Sequence, residues 1–437
     1  MRKDSVVNLL HVSVYFLFIF IYFFFEEQDM VGSIMYHVDS NSNAAPFRNH
    51  ALFAVVALTS LCALLGRWPR TRLFMTLSVL YAVTISIAAI HGPEELKGAI
   101  GYVLFIFSLI LPILLYVFGY NMSYKIQQKT ADRGIIIGIL LLGAFYALTM
   151  KDVFVNYFLI EGYRDGTVYV FMMFLPLVMT IRKAKIRYII IAFIALAVLT
   201  SMKRGGFVTV LFSLLVYMLT LQRVTNKRIP PIVKLIALVL FLIGLVGVII
   251  YVNTQSGGMI FERFAKAGAD GGSGRDKVYL ISLEMILASE PFGLFFGHGW
   301  NSLAGDSPLG LSAHNDYLEI TYDIGLFGLI LLLAFLFHLG IHVLRLVRQK
   351  SPLAPAFVAS FIIFFFTSMT AHVYLYLLNM SALMLFWGYA GGKLKQEKEQ
   401  QEDNVHEVSL VEQTLPGSDI SVSENTPEID DTQVEKT

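Results

Sequence analysis

The chain has 437 residues, of which 56% are hydrophobic and only 15% charged, and its formal net charge is +1. Soluble domains run near about 45–50% apolar and about 25% charged, so an ordinary soluble enzyme is excluded, as is disorder over most of the chain. The small net charge excludes nucleic-acid binding driven by bulk positive charge, and a single cysteine, Cys62, excludes a disulfide framework or a cysteine-rich metal site. What remains is an all-α integral membrane protein.

Apolar runs in chain order predict about twelve transmembrane helices, each near the ~20 residues that a bilayer requires. They are Val6–Phe25, Ala51–Gly66, Leu73–His91, Gly98–Gly119, Gly134–Met150, Thr167–Ile181, Tyr188–Met202, Phe207–Gln222, Ile232–Val252, Ile324–Leu344, Pro355–Tyr374 and Leu375–Gly391. The first lacks a small-residue cleavage site and is long enough to cross, so it reads as an uncleaved anchor. Every second loop is basic, carrying in turn Arg67, Arg70 and Arg72; Lys125, Lys129 and Arg133; Arg182, Lys183, Lys185 and Arg187; Arg223, Lys227 and Arg228; Arg345, Arg348 and Lys350. By the positive-inside rule both termini lie in the cytoplasm and the number of spans is even.

This organisation divides the chain into nine spans over 1–252, a large outer loop over 253–323, three spans over 324–392, and a tail over 393–437. The loop is far longer than the others, and helix-like stretches at Lys277–Ala288 and His314–Asp323 predict a folded cap. The tail is rich in Glu, Asp, Gln, Ser and Thr and reads as disordered and cytoplasmic.

Chemistry-bearing residues cluster in the outer segments. Glu26, Glu27 and Asp29 follow the first span and read as solvated acids; the outer loops hold no Asp-x-Asp pair, so no metal site is expected. Ser201-Met202-Lys203-Arg204-Gly205-Gly206 ends the seventh span, with two cations that run against the positive-inside trend. Arginine beside the exposed N–H groups of a helix start makes an anion site; a snorkelling pair at an ordinary turn is the alternative. Gly271-Gly272-Ser273-Gly274-Arg275-Asp276-Lys277 offers two more cations in a Gly-rich stretch that opens a helix, or else a solvated loop. Gly297-His298-Gly299-Trp300-Asn301-Ser302 offers close backbone approach and an aromatic platform for a sugar, or a tight turn with an interfacial Trp. In the strongest stretch, Ala313–Gly328, a helical reading places His314, Leu318, Thr321, Gly325 and Gly328 on one face. The two glycines would admit a neighbouring helix, His314 would suit general-base work, and Asp316, Glu319 and Asp323 would form an acidic stripe beside it.

The spacing His314-Asn315, nine residues, Gly325, two residues, Gly328 resembles the signature of the bacterial O-antigen ligase family. Ser201–Gly205 (Ser-x-x-Arg-Gly) and Gly274-Arg275 resemble two further elements of that family, and the resemblance covers roughly Tyr188 to Gly328. It implies a GT-C-like fold in the bacterial inner membrane with a periplasmic active site. The implied reaction moves a glycan from undecaprenyl diphosphate to a sugar hydroxyl of lipid A–core, with inversion and with no metal or other cofactor. In family terms His314 is the general base, Arg204 and Arg275 bind and stabilise the diphosphate, and Asn315 orients the His or a sugar. Lys203, Lys277 and Trp300 join them as substrate-binding candidates on position and chemistry. The same superfamily includes O-antigen and capsule repeat-unit polymerases, which need the same diphosphate grip. Outside enzymes, a polysaccharide transporter or flippase is the alternative. Transporters bury ionisable groups at mid-membrane, whereas here charges gather at span ends and His338 is the main interior exception.

Overall fold

The computed structural model describes residues 3–24, 45–91, 99–156, 168–200, 204–225, 271–374 and 377–414, with isolated positions at 246, 250 and 254. Every regular element among them is a helix. In order these are α1 (Lys3–Phe24), α2 (Ala45–Leu64), α3 (Arg72–Ile90), α4 (Ala99–Lys125), α5 (Gln128–Asn156), α6 (Val168–Met179), α7 (Ala184–Thr200) and α8 (Arg204–Thr225). After a stretch outside the described residues come α9 (Gly271–Ala288), α10 (Pro291–Phe296), α11 (Ser302–Asp306), α12 (Asp316–Asp323), α13 (Gly325–Arg348), α14 (Ala354–Thr370) and α15 (Leu377–Thr414).

Among the described residues, four helical segments are long and apolar enough to cross a membrane: Arg72–Ile90, Phe105–Lys125, Gly205–Thr225 and Gly325–Arg348. Shorter apolar helices lie at Ser5–Phe16, Ala54–Leu64, Tyr169–Met179 and Ala354–Thr370, and the expected span Ile232–Val252 falls outside the described residues. Burial separates the long segments. Phe105–Lys125 is 76% buried, against 28% for Gly205–Thr225 and 33% for Gly325–Arg348, so α4 is a central helix and the other two lie at the periphery. The outer face of α13 shows why: Phe327, Ile330, Leu333, Phe337, Ile341 and Leu344 are all exposed. An apolar stripe of that length left uncovered fits a lipid environment, not water.

Around α4 the helices pack as neighbours, with α2 and α3 against α4, α13 against α3, and α8 and α6 against α14. α4 and α15 cross closely. A Cβ added at Gly388 would collide with the carbonyl oxygen of Tyr116, and one at Gly119 with that of Leu385. Small residues on both helices let the two backbones touch.

Among the boundaries that differ from the sequence reading, two concern the end of the eleventh span and the tail. The eleventh apolar run, read as Pro355–Tyr374, is helical only to Thr370, and Ala371 is extended (φ −160°, ψ −171°). The chain divides into two compact units, Met1–Lys393 and Leu394–Thr437. In the second, read as a disordered tail, the backbone is helical as far as Thr414; residues 415–437 lie outside the described residues. Its first turns carry the i,i+4 pairs Lys395–Glu399 (3.8 Å) and Lys398–Glu402 (3.3 Å), and Glu, Lys and Gln are good helix formers, which explains the difference.

Residues 271–323 form α9 to α12 around a small core of Ile286, Leu303, Ala313 and Tyr322, with Val278, Met285, Leu294 and Leu318 packed against it. The Gly-rich run Gly271–Gly274, read as a loop that opens a helix, is itself the first turn of α9.

The close crossing gives a stability test. Gly388→Ala should destabilise the detergent-solubilised protein by about 1–3 kcal/mol or more, since the carbonyl it meets belongs to backbone. Gly391→Ala, whose added Cβ would sit 3.6 Å from the Tyr116 hydroxyl in ordinary contact, should leave the thermal midpoint unchanged. Equal midpoints for the two variants would show that the backbones do not touch.

Candidate active site

The segment Ser312–Asp323 builds one side of the site. Asn315 is extended (φ −149°) and caps α12, its Oδ1 accepting from the N–H of Tyr317 (3.0 Å) and of Leu318 (3.3 Å). Asn at this position satisfies N–H groups that the helix leaves open, and acids in the first turn suit the helix dipole. Because α12 starts at Asp316, His314 lies outside it. The expected helical face through His314 does not form; instead His314 takes a left-handed backbone (φ 52°) and its side chain is exposed.

The acids read as a stripe beside His314 are buried: Asp316 and Asp323 are 0% exposed and Glu319 is 3% exposed. Buried carboxylates require partners, and each has found its own. Asp316 Oδ2 accepts from the N–H of Val373 (2.8 Å) and Tyr374 (2.9 Å). Glu319 Oε1 accepts from the Ser312 hydroxyl (2.7 Å) and the His314 N–H (3.1 Å), while Ser312 Oγ also accepts from the His314 N–H (3.2 Å). His372 lies between the two acids, with Nδ1 at 3.7 Å from Asp316 and 3.4 Å from Glu319, and Nε2 at 2.7 Å from Ser312 Oγ. The exposed His314 ring rests on His372, with centroids 5.0 Å apart and planes tilted by 44°.

Burial drives the Glu319 carboxyl above its usual range, and the His372 charge and Ser312 hydroxyl only partly offset this. For His372 burial works downward, but the neighbouring Glu319 and Asp316 carboxylates outweigh it and the Arg275 charge, so the imidazole holds its proton above the usual range.

A second set of bonds ties the other end of α12 to the Gly297–Leu303 turn. Asp323 accepts from the N–H of Asn301 (2.8 Å) and of Leu303 (2.9 Å), and the carbonyls of Tyr322 and Asp323 accept from the N–H of His298 and Gly299, each at 3.0 Å. Gly297 (φ 82°) and Gly325 (φ 80°) make this junction: a Cβ at the first would collide with the Asp323 carbonyl, and at the second with that of Phe295. Gly325 thus admits the end of α10 and breaks the chain between α12 and α13, while Gly328 packs on Ile320 and Ile324. Trp300 is 5% exposed and meets Phe105 edge-on at 5.9 Å, so it presents no open ring face to a sugar. His298 is stacked on Tyr322 at 4.3 Å.

Two further elements reach the same place. Tyr279 of α9 donates to the Met369 carbonyl (2.9 Å), and Arg275, half-buried one turn earlier, acts electrostatically on His372; Lys277 is exposed. Arg204 is the first residue of α8, and a Cβ at the adjacent Gly205 would lie 3.2 Å from Thr370 Oγ1. Lys203 is outside the described residues. The start of α8, the start of α9 and the His314 loop, far apart in sequence, therefore meet at Met369–Tyr374. Among the described residues no group of His, Cys, Asp and Glu is arranged to hold a metal ion.

Sequence reasoning missed His372 and Ser312. The one available cue was a histidine in an otherwise apolar run assigned to a span, Thr370-Ala371-His372-Val373-Tyr374.

Residues 189–333 match the sequence model of a family described as O-antigen ligase. They include Arg204, Arg275 and His314 but stop short of His372. No curated protein matches the chain.

The pH dependence of stability follows from the direction of the two shifts. The folded cluster binds protons more tightly than the unfolded chain does, so stability must fall as pH rises. The His372 contribution is complete below its ordinary value of about 6.5 and is lost as pH climbs through the raised folded value. The thermal midpoint in detergent should fall on going from about pH 6.5 to about pH 9, and Glu319→Gln should shallow that fall. A slope that Glu319→Gln leaves untouched would show that the carboxylate does not hold the His372 proton.

Proposed function

We propose, from the premise that residues 189–333 belong to the O-antigen ligase family, that this multi-pass membrane protein is the ligase itself. Membership supports glycan transfer by a glycosyltransferase of the ligase and polymerase superfamily, with a glycan-lipid substrate. The finer reading is transfer of a finished glycan from undecaprenyl diphosphate to a sugar hydroxyl of lipid A–core. It takes place at the periplasmic face of the inner membrane, in a chain of about twelve spans with both termini cytoplasmic.

The observation that carries the mechanism is the meeting of the three family elements at Met369–Tyr374. His314, exposed and braced from behind, takes the proton of the acceptor hydroxyl. The acceptor oxygen forms a bond to the anomeric carbon as the bond to the diphosphate oxygen breaks, and that oxygen keeps the electron pair. Direct displacement inverts the anomeric centre. Arg204 and Arg275, at the starts of their helices, meet the charge that grows on the departing diphosphate, where preorganised donors do most for the rate. Lys277, and Lys203 by its place next to Arg204 in the sequence, are further candidates to bind the diphosphate. Asn315, whose carbonyl oxygen caps α12, meets a sugar through its amide nitrogen.

The test is the glycolipid profile of cells that lack the gene, complemented with wild type or variants. Wild type should place long glycan on lipid A–core. His314→Ala should lower transfer by about 10²–10⁴-fold and Arg275→Ala by about 10²–10³-fold, stranding long polymer on the lipid carrier. Core that bears a single repeat in the deletion strain, without long lipid-linked polymer, would make the protein a polymerase. A normal profile with His314→Ala would remove His314 from the chemistry.

A further inference from the structure

The hydrogen positions at His372 follow from its partners. The single hydroxyl proton of Ser312 goes to Glu319 Oε1 (2.7 Å), and Ser312 Oγ accepts the His314 N–H (3.2 Å). The 2.7 Å contact between Ser312 Oγ and His372 Nε2 therefore needs the hydrogen on the imidazole. On the other side Nδ1 faces carboxylate oxygens of Asp316 and Glu319 at 3.7 and 3.4 Å. The carboxylate oxygens on that side favour a hydrogen on Nδ1 too, through charge at ion-pair distance and not through a hydrogen bond. Asp316 Oδ2 also accepts the N–H groups of Val373 and Tyr374. His372 is thus an imidazolium locked between two buried acids and is itself 7% exposed.

What this cation supports is the backbone of His314. A non-glycine residue in the left-handed region is strained, so His314 keeps φ 52° only while something holds it there. The hold is on its N–H, gripped by Glu319 Oε1 and Ser312 Oγ, and both of those groups are in turn held by His372. Without the imidazolium, Glu319 and Asp316 would be two buried acids with no cation between them. Glu319 would then turn away or take up a proton, and its grip on the His314 N–H would weaken.

We infer that His372 is a positioning residue for the glycan transfer proposed above, an inference that rests on that reading. It acts through Glu319 and Ser312 to fix the left-handed turn that presents His314. Nothing in its placement requires contact with donor or acceptor.

The charge balance supplies the test. Purified enzyme in detergent is given an undecaprenyl-diphosphate glycan and lipid A–core, and in parallel the carbethoxylation of His314 by diethyl pyrocarbonate is followed by mass spectrometry. In His372→Gln, kcat should fall about tenfold or more with little change in KM, as expected when a reacting group is misplaced, and His314 should react several-fold faster. In the double variant Glu319→Gln with His372→Gln, the pair is neutral on both sides, so kcat should recover in large part and His314 should again react slowly. A His372→Gln variant as active as wild type overturns the inference and leaves the proposed function standing. A double variant no better than the single one, at an unchanged thermal midpoint, reduces His372 to a packing residue. If His372→Gln fails to fold, folding and activity in the double variant decide between charge balance and packing. Absence of transfer by the wild type overturns the proposed function, while the carbethoxylation rates still decide whether His372 sets His314.

Discussion

The Asp316 carboxylate is fully buried, and the N–H groups it accepts belong to Val373 and Tyr374, on a different part of the chain. An ion in that position is tolerable only with charge-assisted hydrogen bonds and an opposing charge, because the cost of desolvation exceeds what a lone carboxylate can recover. Satisfying it pulls the backbone out of helix after Thr370 and turns His372 toward Ser312 and Glu319. The rest of the site follows from that one bond set. The connection between α14 and α15 becomes a floor, the His314 loop lies across it, and the starts of α8 and α9 meet it through Gly205 and Tyr279.

The distribution of polar groups separates chemistry from solvent of either kind. On the outer side of α13 the exposed residues are Phe, Ile and Leu, suited to lipid. At the site the buried charges are Asp316, Glu319 and His372, which answer one another, while His314 is exposed and Arg275 only half-buried. A low-dielectric surround makes each of these charges count for more, and it makes an unanswered one costly. Fixing polar groups in advance is the kind of arrangement that the glycan transfer proposed above calls for.

Much of this was legible in the sequence, and the parts that were not share a cause. Helical spans follow from long apolar runs, because a backbone in lipid must bond to itself. The cationic stretches at 201–206 and 271–277 and the Ala313–Gly328 stretch could be picked out from local residue chemistry, although α8 and α9 start at Arg204 and Gly271 and not at the expected Phe207 and Lys277. The helical face through His314 could not survive, because Asn315 is a better cap than helix interior and moves the helix start past His314. The acids at 316, 319 and 323 show the spacing of a stripe beside His314, yet each is buried against a partner that the local pattern does not contain. Trp300 reads as an open platform until Phe105 is found against it.

By itself the sequence determined the helical class, the membrane setting, and the three local elements that carry His314, Arg204 and Arg275, since each depends on residues close together in the chain. Only the tertiary structure decided that these elements share one place, that His372 stands behind His314, and that Gly325 breaks a helix to admit α10. The physical reason is that a buried charge selects its partner by distance in space. Asp316 and Tyr374 lie 58 residues apart along the chain and meet only in the folded protein.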